Sequence, residues 1–523
     1  MDTSEKALHE AFVTSKDGCS PVQLLLRGGL LIYSTLLHAA LAELPVIKSR
    51  RKNVWFSATF AVAVQCVPFI LSFTLLAEYW ACVVFTVIAV TLGIRILQRL
   101  FDQHSVVKSH RKNVPGKRPI AKVAPHDYPG LTSARAQVIL MTVFGILAVD
   151  FATVPRYFAK TEKTGFSPMD LGVGAFVIIV AVSSREAKNS LPANRWKNVW
   201  KALRGSVALI ILGLVRLFMV TALNYQNPVH EYGIHWNFFF TLACTRVLTS
   251  VVYASVSIHL DLAVAVMLGC AYEAGLLFTP LAAFLDSDER SGFLAANKEG
   301  LMSIVGYVAL HLAAAGTARM LGYKPRNCAR DWIMTGLQAA GISAATFAAT
   351  YIMHTSVDPV SRRLANLSYC LWMYSLGVFA VALSVGVTLA NTALLPRSAQ
   401  VNYNLFAVSH ADSPNTDVDI LWKSINYNGM AVFLLANILT GLVNIFFHPR
   451  TASDIVCFVT LVGYTYVLCI FAVFLHRKIA KGKQPPTVNT ISCFYRNSIC
   501  RVGTGRSSNT GLVVRAQGWR QRG

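Results

Sequence analysis

Charged side chains are scarce in this chain: Asp, Glu, Lys and Arg make up 14% of its 523 residues, against roughly 25% in soluble domains. That scarcity argues against a soluble globular protein, and nothing in the chain reads as a separate soluble domain. Metal and disulfide patterns are missing too. Most of the eleven cysteines (Cys66, Cys82, Cys244, Cys270, Cys370, Cys457 and Cys469 among them) lie inside apolar stretches, where a thiol behaves as a small hydrophobe. Cys493 and Cys500 are too far apart for a C-x-x-C site and have no partner pair. Neither a disulfide framework nor a bound metal is expected. His230-Glu231 with His235 imitates a zinc-protease helix, but a spacing of five turns the two histidines about 140° apart. Gly172 and Gly174 lack a third glycine in register for a dinucleotide turn, and close helix packing accounts for them. The first twenty residues lack the basic-then-apolar pattern of a cleavable leader, so the first apolar segment is expected to act as a start-transfer anchor.

What the chain has in abundance is apolar length. Hydrophobic residues make up 54% of it, and a bilayer span needs about 20 in a row. Thirteen apolar segments can be marked, near 22–43, 54–77, 79–98, 136–154, 168–184, 204–222, 235–256, 260–284, 300–317, 332–353, 366–390, 428–447 and 454–475. The pattern predicts an all-α polytopic membrane protein of about thirteen transmembrane helices. Its expected parts are an N-terminal segment over 1–21, a membrane domain over 22–475, and a basic tail over 476–523 that lacks apolar periodicity and reads as disordered.

The net charge of +23 does not indicate nucleic acid, because the positive residues cluster in loops without aromatic interleaving. Lys and Arg concentrate in the odd-numbered gaps between segments, for example Lys48 to Lys52, Lys108 to Lys122, Arg185 to Lys201 and Arg319 to Arg330. The positive-inside rule makes those gaps cytoplasmic, with the N-terminus lumenal and the C-terminus cytoplasmic. The stretch Asn194 to Arg204 has the apolar spacing of an interfacial helix. Two lumenal gaps break the rule: one carries Arg156, Lys160 and Lys163, the other Arg362 and Arg363. Charges that topology does not require are candidates for chemistry.

The run Asp150 to Gly174 is the strongest candidate. Asp150 ends an apolar helix at the membrane edge, a costly place for a carboxylate. Pro155 breaks the helix, and Lys160 follows Asp150 by ten residues, so the chain could fold back and join carboxylate to ammonium. Two readings stand side by side. One is an ordinary interfacial ion pair. The other is acyl transfer to an alcohol, with the carboxylate taking the hydroxyl proton and the lysine stabilising the oxyanion. Arg156 and Asp170, in the same run, are candidate substrate contacts. So are His235, Trp236 and Asn237 at the start of the seventh segment, although Trp at that depth also suits an aromatic belt. Arg362 and Arg363 with Asn366 suit a phosphate. Asn428 and Asn437, with Thr440, Gly441 and Asn444, suit either ligand contact or interhelical glue.

Taken in order, Asp150-Phe151, Pro155-Arg156, Phe158-Ala159-Lys160, Met169 to Gly174, Glu231-Tyr232-Gly233, His235 to Phe240, Arg362-Arg363 with Ala365-Asn366-Leu367, and Leu434 to Asn437 with Thr440 to Asn444 resemble the glucosaminyl-phosphatidylinositol acyltransferase family. The resemblance runs over roughly residues 8 to 475. It implies a multi-pass endoplasmic-reticulum membrane enzyme of GPI-anchor biosynthesis. Such an enzyme moves a fatty acyl group, usually palmitoyl, from acyl-CoA to the inositol of glucosaminyl-phosphatidylinositol, with acyl-CoA as co-substrate and no further cofactor. The family's acidic and basic catalytic residues then fall on Asp150 and Lys160. One departure is Asn297-Lys298-Glu299-Gly300, where the family pattern has arginine in place of Lys298. A polytopic transporter of a lipid or small anion is the alternative from another class, although no internal repeat supports it.

Overall fold

The computed structural model describes residues 12, 14–15, 18–107, 131–190, 194–222, 229–322, 329–393 and 420–482. Helix covers each of the thirteen apolar segments. Helices α1 (Pro21–Gly28) and α2 (Leu30–Ala42) run end to end, and α3 (Val54–Ala61) passes through a π-helical stretch at Val62–Cys66 into α4 (Val67–Phe73). There follow α5 (Trp80–Val107), α6 (Leu131–Ala148), α7 (Leu171–Ser183), α8 (Trp196–Ala222), the short α9 (Val229–Tyr232) and α10 (Phe238–Ser255). The rest are α11 (Asp261–Phe278), the short α12 (Leu281–Asp286), α13 (Lys298–Gly322), α14 (Ala329–Ser356), α15 (Leu367–Ala393), α16 (Ile420–Tyr427), α17 (Gly429–Phe446) and α18 (Asp454–Gly482). Among the described residues, ten helical stretches are long and apolar enough to cross a membrane. The protein is thus a polytopic all-α membrane protein. The stretches at α6 and α7 are shorter, and α14 is diluted by Arg330, Asp331 and Gln338.

Local causes are visible at several ends. The Asn53 side chain accepts from Trp55 N at 2.9 Å and Phe56 N at 3.3 Å, which starts α3. Pro68 cannot donate to the ladder, and the chain widens into the π-turn just before it. That turn carries buried Gln65, whose Oε1 accepts from Trp422 Nε1 at 2.7 Å, so α16 is fastened to it. The stretch Asn194 to Arg204, expected as a separate interfacial helix, instead mostly forms the first turns of α8, because no proline interrupts it. Helix α18 runs on to Gly482, and residues 483–523 of the expected disordered tail lie outside the described residues.

Burial distinguishes centre from edge. Of the apolar stretch of α13, 72% is buried, against 11% for α8, so α13 is the axis and α8 an outer helix. One hydrophobic cluster joins α2 to α6 with α16 to α18, around Phe69, Phe73, Phe144, Phe158 and Trp422. A second joins α7, α13 and α15, around Phe166, Val177, Tyr307, Tyr369 and Trp372. Phe158 belongs to the first and Phe166 to the second, so the loop between α6 and α7 straddles both.

That loop differs from expectation in one respect. The fourth segment was expected to stay helical to 154, yet α6 ends at Ala148. The reason is Arg156. Its guanidinium donates to the carbonyls of Val149 (3.1 Å), Phe151 (2.5 Å) and Val154 (2.6 Å), and to Phe12 (3.0 Å). Non-helical backbone at membrane depth is tolerated only when its polar groups are satisfied, and here one side chain does so. Beyond it, β2 (Lys160–Thr161) pairs in parallel with β1 (Thr14–Ser15).

Candidate functional site

Lys160 leaves β2 toward the short helix α9. Its Nζ lies 2.6 Å from Glu231 Oε1. The same carboxylate oxygen is 3.4 Å from Arg362 Nη1. Arg362 Nε donates to Asp170 Oδ1 at 2.8 Å, and Asp170 Oδ2 accepts from Thr161 N at 3.2 Å and Thr161 Oγ1 at 2.7 Å. Thr161 follows Lys160 in the chain, so the five side chains close a ring. Residues from the gaps after the fourth, sixth and tenth segments therefore meet at one end of the bundle, together with the N-terminal strand.

Two tight backbone approaches set the ring. Gly233 has φ of +111°, and a Cβ there would fall 2.5 Å from Asn297 Cα. Only glycine lets α9 lie against the start of α13. Likewise, a Cβ on Gly306 would meet the Ala365 carbonyl oxygen at 1.9 Å, so the loop carrying Arg362 is pressed directly onto α13.

Electrostatics follow from this geometry. Burial alone would raise the Glu231 carboxyl, but Lys160, Arg362 and Arg216 outweigh it and hold it at about 2. Burial likewise acts to lower Arg362, and the Glu231 and Asp170 carboxylates reverse it to a net rise. Glu231 is depressed below its unfolded value of about 4.3, so its stabilising contribution is full above that pH and disappears as pH falls toward about 2. The Glu231 carboxylate is thus charged at neutral pH. Lys160 is 33% exposed, whereas the Glu231, Arg362 and Asp170 side chains are 11%, 6% and 5% exposed. Of the charged members, Lys160 is the one open to an incoming group.

Asp150 sits apart from the ring. It is buried, and Asn444 Nδ2 from α17 donates to its Oδ2 at 2.8 Å. The fold-back expected to join Asp150 to Lys160 does not pair them: the carboxylate that Lys160 meets is Glu231. Pro155 and the Arg156 collar turn the chain after Asp150, and α9 supplies the nearer anion. The Asp150 field does reach Arg156, opposing the lowering that burial imposes on that guanidinium.

Other candidate residues have local tasks. Arg156 is engaged by the carbonyls named above. Asn237 caps α10, accepting from Phe239 N at 3.0 Å, and ties it to α8 through Gly213 O at 3.0 Å. Trp236 Nε1 donates to Thr241 Oγ1 at 3.0 Å. His235 is exposed, and its backbone N donates to Asn297 Oδ1 at 2.8 Å. Asn366, fully buried, donates to Asp358 Oδ2 at 2.7 Å and accepts from Tyr369 N at 3.1 Å. Asn428 ties α16 to α18 through Ser424 O (3.0 Å) and Ala472 O (3.1 Å), and exposed Asn437 donates to Phe433 O at 2.7 Å.

The two arginines expected to grip one phosphate diverge: Arg362 turns inward to Asp170 and Glu231, while Arg363 pairs with Asp286. A tight turn aims neighbouring side chains in different directions, and each met its own carboxylate. Arg362→Gln is therefore expected to act on stability, costing about 3–5 kcal/mol as a broken buried pair. Arg363→Gln should cost less, since the carboxylate it leaves behind, Asp286, is 53% exposed and stays hydrated. Thermal unfolding of the two purified variants in detergent checks this, and equal midpoints for both would contradict it.

Sequence reasoning weighed Asn444 as ligand contact or interhelical glue, but it paired neither Asn444 with Asp150 nor Glu231 with Lys160. Asn444 lies seven residues after Asn437, on the same face of α17 two turns on, which is the signal that could have found it. Glu231 is 71 residues from Lys160, and no spacing rule joins them. Lys298, the departure from arginine, is fully buried and gives its ammonium donors to Phe284 O (2.6 Å), Ser287 O (2.5 Å) and Ser287 Oγ (2.8 Å). A compact three-donor cation suits that cup at the end of α12.

Fold and site together define a polytopic membrane protein with a charged ring and a separate buried carboxylate at the loop after α6. The chain belongs to the GWT1 family, whose family model matches residues 5–475. It is 30% identical over 512 residues to the mouse (Mus musculus) glucosaminyl-phosphatidylinositol-acyltransferase PIGW, covering 89% of this chain and 97% of that protein. It is 29% identical over 513 residues to the Bos taurus protein of the same name, covering 91% and 99%. The GPI-anchored wall transfer protein 1 of Kluyveromyces lactis is 33% identical over 347 residues, covering 65% of this chain and 72% of that one.

Proposed function

We propose that the chain transfers a fatty acyl group, such as palmitoyl, from acyl-CoA to an inositol hydroxyl of glucosaminyl-phosphatidylinositol in GPI-anchor biosynthesis, at the endoplasmic-reticulum membrane. The observation that carries the chemistry is the arrangement of Asp150 and Lys160. They flank one loop, yet each has its own partner, Asn444 and Glu231, so neither charge neutralises the other. Asp150, as general base, takes the inositol hydroxyl proton while that oxygen attacks the thioester carbonyl. Lys160, held in place by Glu231, stabilises the oxyanion. The oxyanion collapses, the carbon–sulfur bond breaks, and Asp150 returns its proton to the departing thiolate. Thirteen crossings with a lumenal N-terminus, as the loop charges suggest, would put the site on the lumenal side.

Purified full-length protein is expected to consume labelled palmitoyl-CoA only when glucosaminyl-phosphatidylinositol is present. Hydrolysis of the thioester without acylated inositol would overturn the reading. Topology has its own test: in sealed microsomes, single reporter cysteines at positions 160 and 112 are expected to label from opposite sides. Labelling from the same side would refute the thirteen-crossing layout.

A further inference from the structure

With Arg362 and Arg363 both paired to carboxylates, the charge that would meet a lipid phosphate lies elsewhere. Helix α8 is an outer helix, and from Gly205 to Ala222 it carries a single charged residue, Arg216. Arg216 is exposed, beside Leu214, Val215, Phe218 and Met219, which are 48% to 71% exposed. A cation on such a face is costly, and a functional role is the default reading. Among the described residues it makes no hydrogen bond or ion pair.

Its position is set by the hydrogen bond from Asn237 to Gly213 O and by the close approach of Phe240 to Gly213. Arg216 is one turn further along α8. Its field is among those that lower Glu231. Lys160 and Arg362 balance Glu231 and Asp170, so the ring sums to zero and Arg216 is a surplus positive charge beside it. It is six residues from the end of α8 at Ala222, about 9 Å of helix, within reach of the headgroup level for a long side chain.

We propose that Arg216 binds the phosphodiester of the lipid acceptor from the membrane side, placing the attached ring toward Lys160. A phosphodiester carries one negative charge, which the surplus cation matches, and its two non-bridging oxygens suit a guanidinium. The identity of that acceptor rests on the acyl-transfer reading above; the phosphate subsite does not.

The experiment compares full-length wild type, Arg216→Gln and Arg216→Lys in two assays. In acyl transfer, Arg216→Gln is expected to raise the apparent KM for glucosaminyl-phosphatidylinositol about tenfold, with little change for palmitoyl-CoA, and Arg216→Lys to recover most of that loss. In native mass spectrometry, wild type is expected to retain phosphatidylinositol over diacylglycerol, and Arg216→Gln to lose that preference. A changed KM for palmitoyl-CoA alone assigns the arginine to the donor's phosphates and overturns the proposal. Equal loss of phosphatidylglycerol and phosphatidylinositol with an unchanged acceptor KM assigns it to bulk lipid and also overturns it. A wild type that shows no acyl transfer, but loses selective phosphatidylinositol retention on Arg216→Gln, supports the subsite and removes the acyltransferase reading instead.

Discussion

Asp150→Asn is expected to lower acyl transfer by about 10²–10⁴-fold, the range of a lost general base, while the protein still inserts and purifies normally. The amide is nearly isosteric, and its oxygen can still accept from Asn444 Nδ2, which holds Oδ2 at 2.8 Å. The substitution removes basicity while keeping shape. Asn444→Ala separates orientation from chemistry: it is expected to lower kcat about tenfold, because it loosens the carboxylate without removing it. Steady-state rates for both variants are the measurement. Asp150→Asn activity within about tenfold of wild type would remove the base role.

Lys160→Ala is expected to lose about a hundredfold or more, the scale of one missing oxyanion donor. Lys160→Arg should recover only part of it, since a planar fork cannot place one compact charge where the ammonium sat. The fold should survive Lys160→Ala, because Glu231 keeps Arg362 at 3.4 Å. Glu231→Gln is the instructive contrast. It leaves Lys160 and Arg362 near each other with no shared anion, and costs stability on the scale of a broken buried pair, about 3–5 kcal/mol. Activity and thermal midpoint measured together distinguish the two roles. If Lys160→Ala lowered the midpoint as far as Glu231→Gln yet kept its activity, the lysine would be a structural cation only.

The sequence was most informative where physics is local. Apolar length located the membrane helices, ten of them long and apolar enough to cross among the described residues, because each need only satisfy its own backbone in lipid. Asp150 and Lys160 stood out for the same reason, as charges at a membrane edge that loop topology did not require. Where the sequence misled, a distant partner had intervened. Arg156 seemed free for substrate until the carbonyls of Val149, Phe151 and Val154 took its donors. Arg362 and Arg363 seemed a phosphate fork until Asp170, Glu231 and Asp286 drew them apart.

By itself, then, the sequence determined a polytopic helical protein, the places of its helices and the loop where chemistry gathers, since periodicity and the cost of charge in lipid act over one segment at a time. Which carboxylate meets Lys160, which asparagine meets Asp150 and which carboxylates draw Arg362 and Arg363 apart were decided only by the tertiary structure. Coulomb energy depends on separation in space, and the close pairings here join residues 71, 192 and 294 positions apart in the chain.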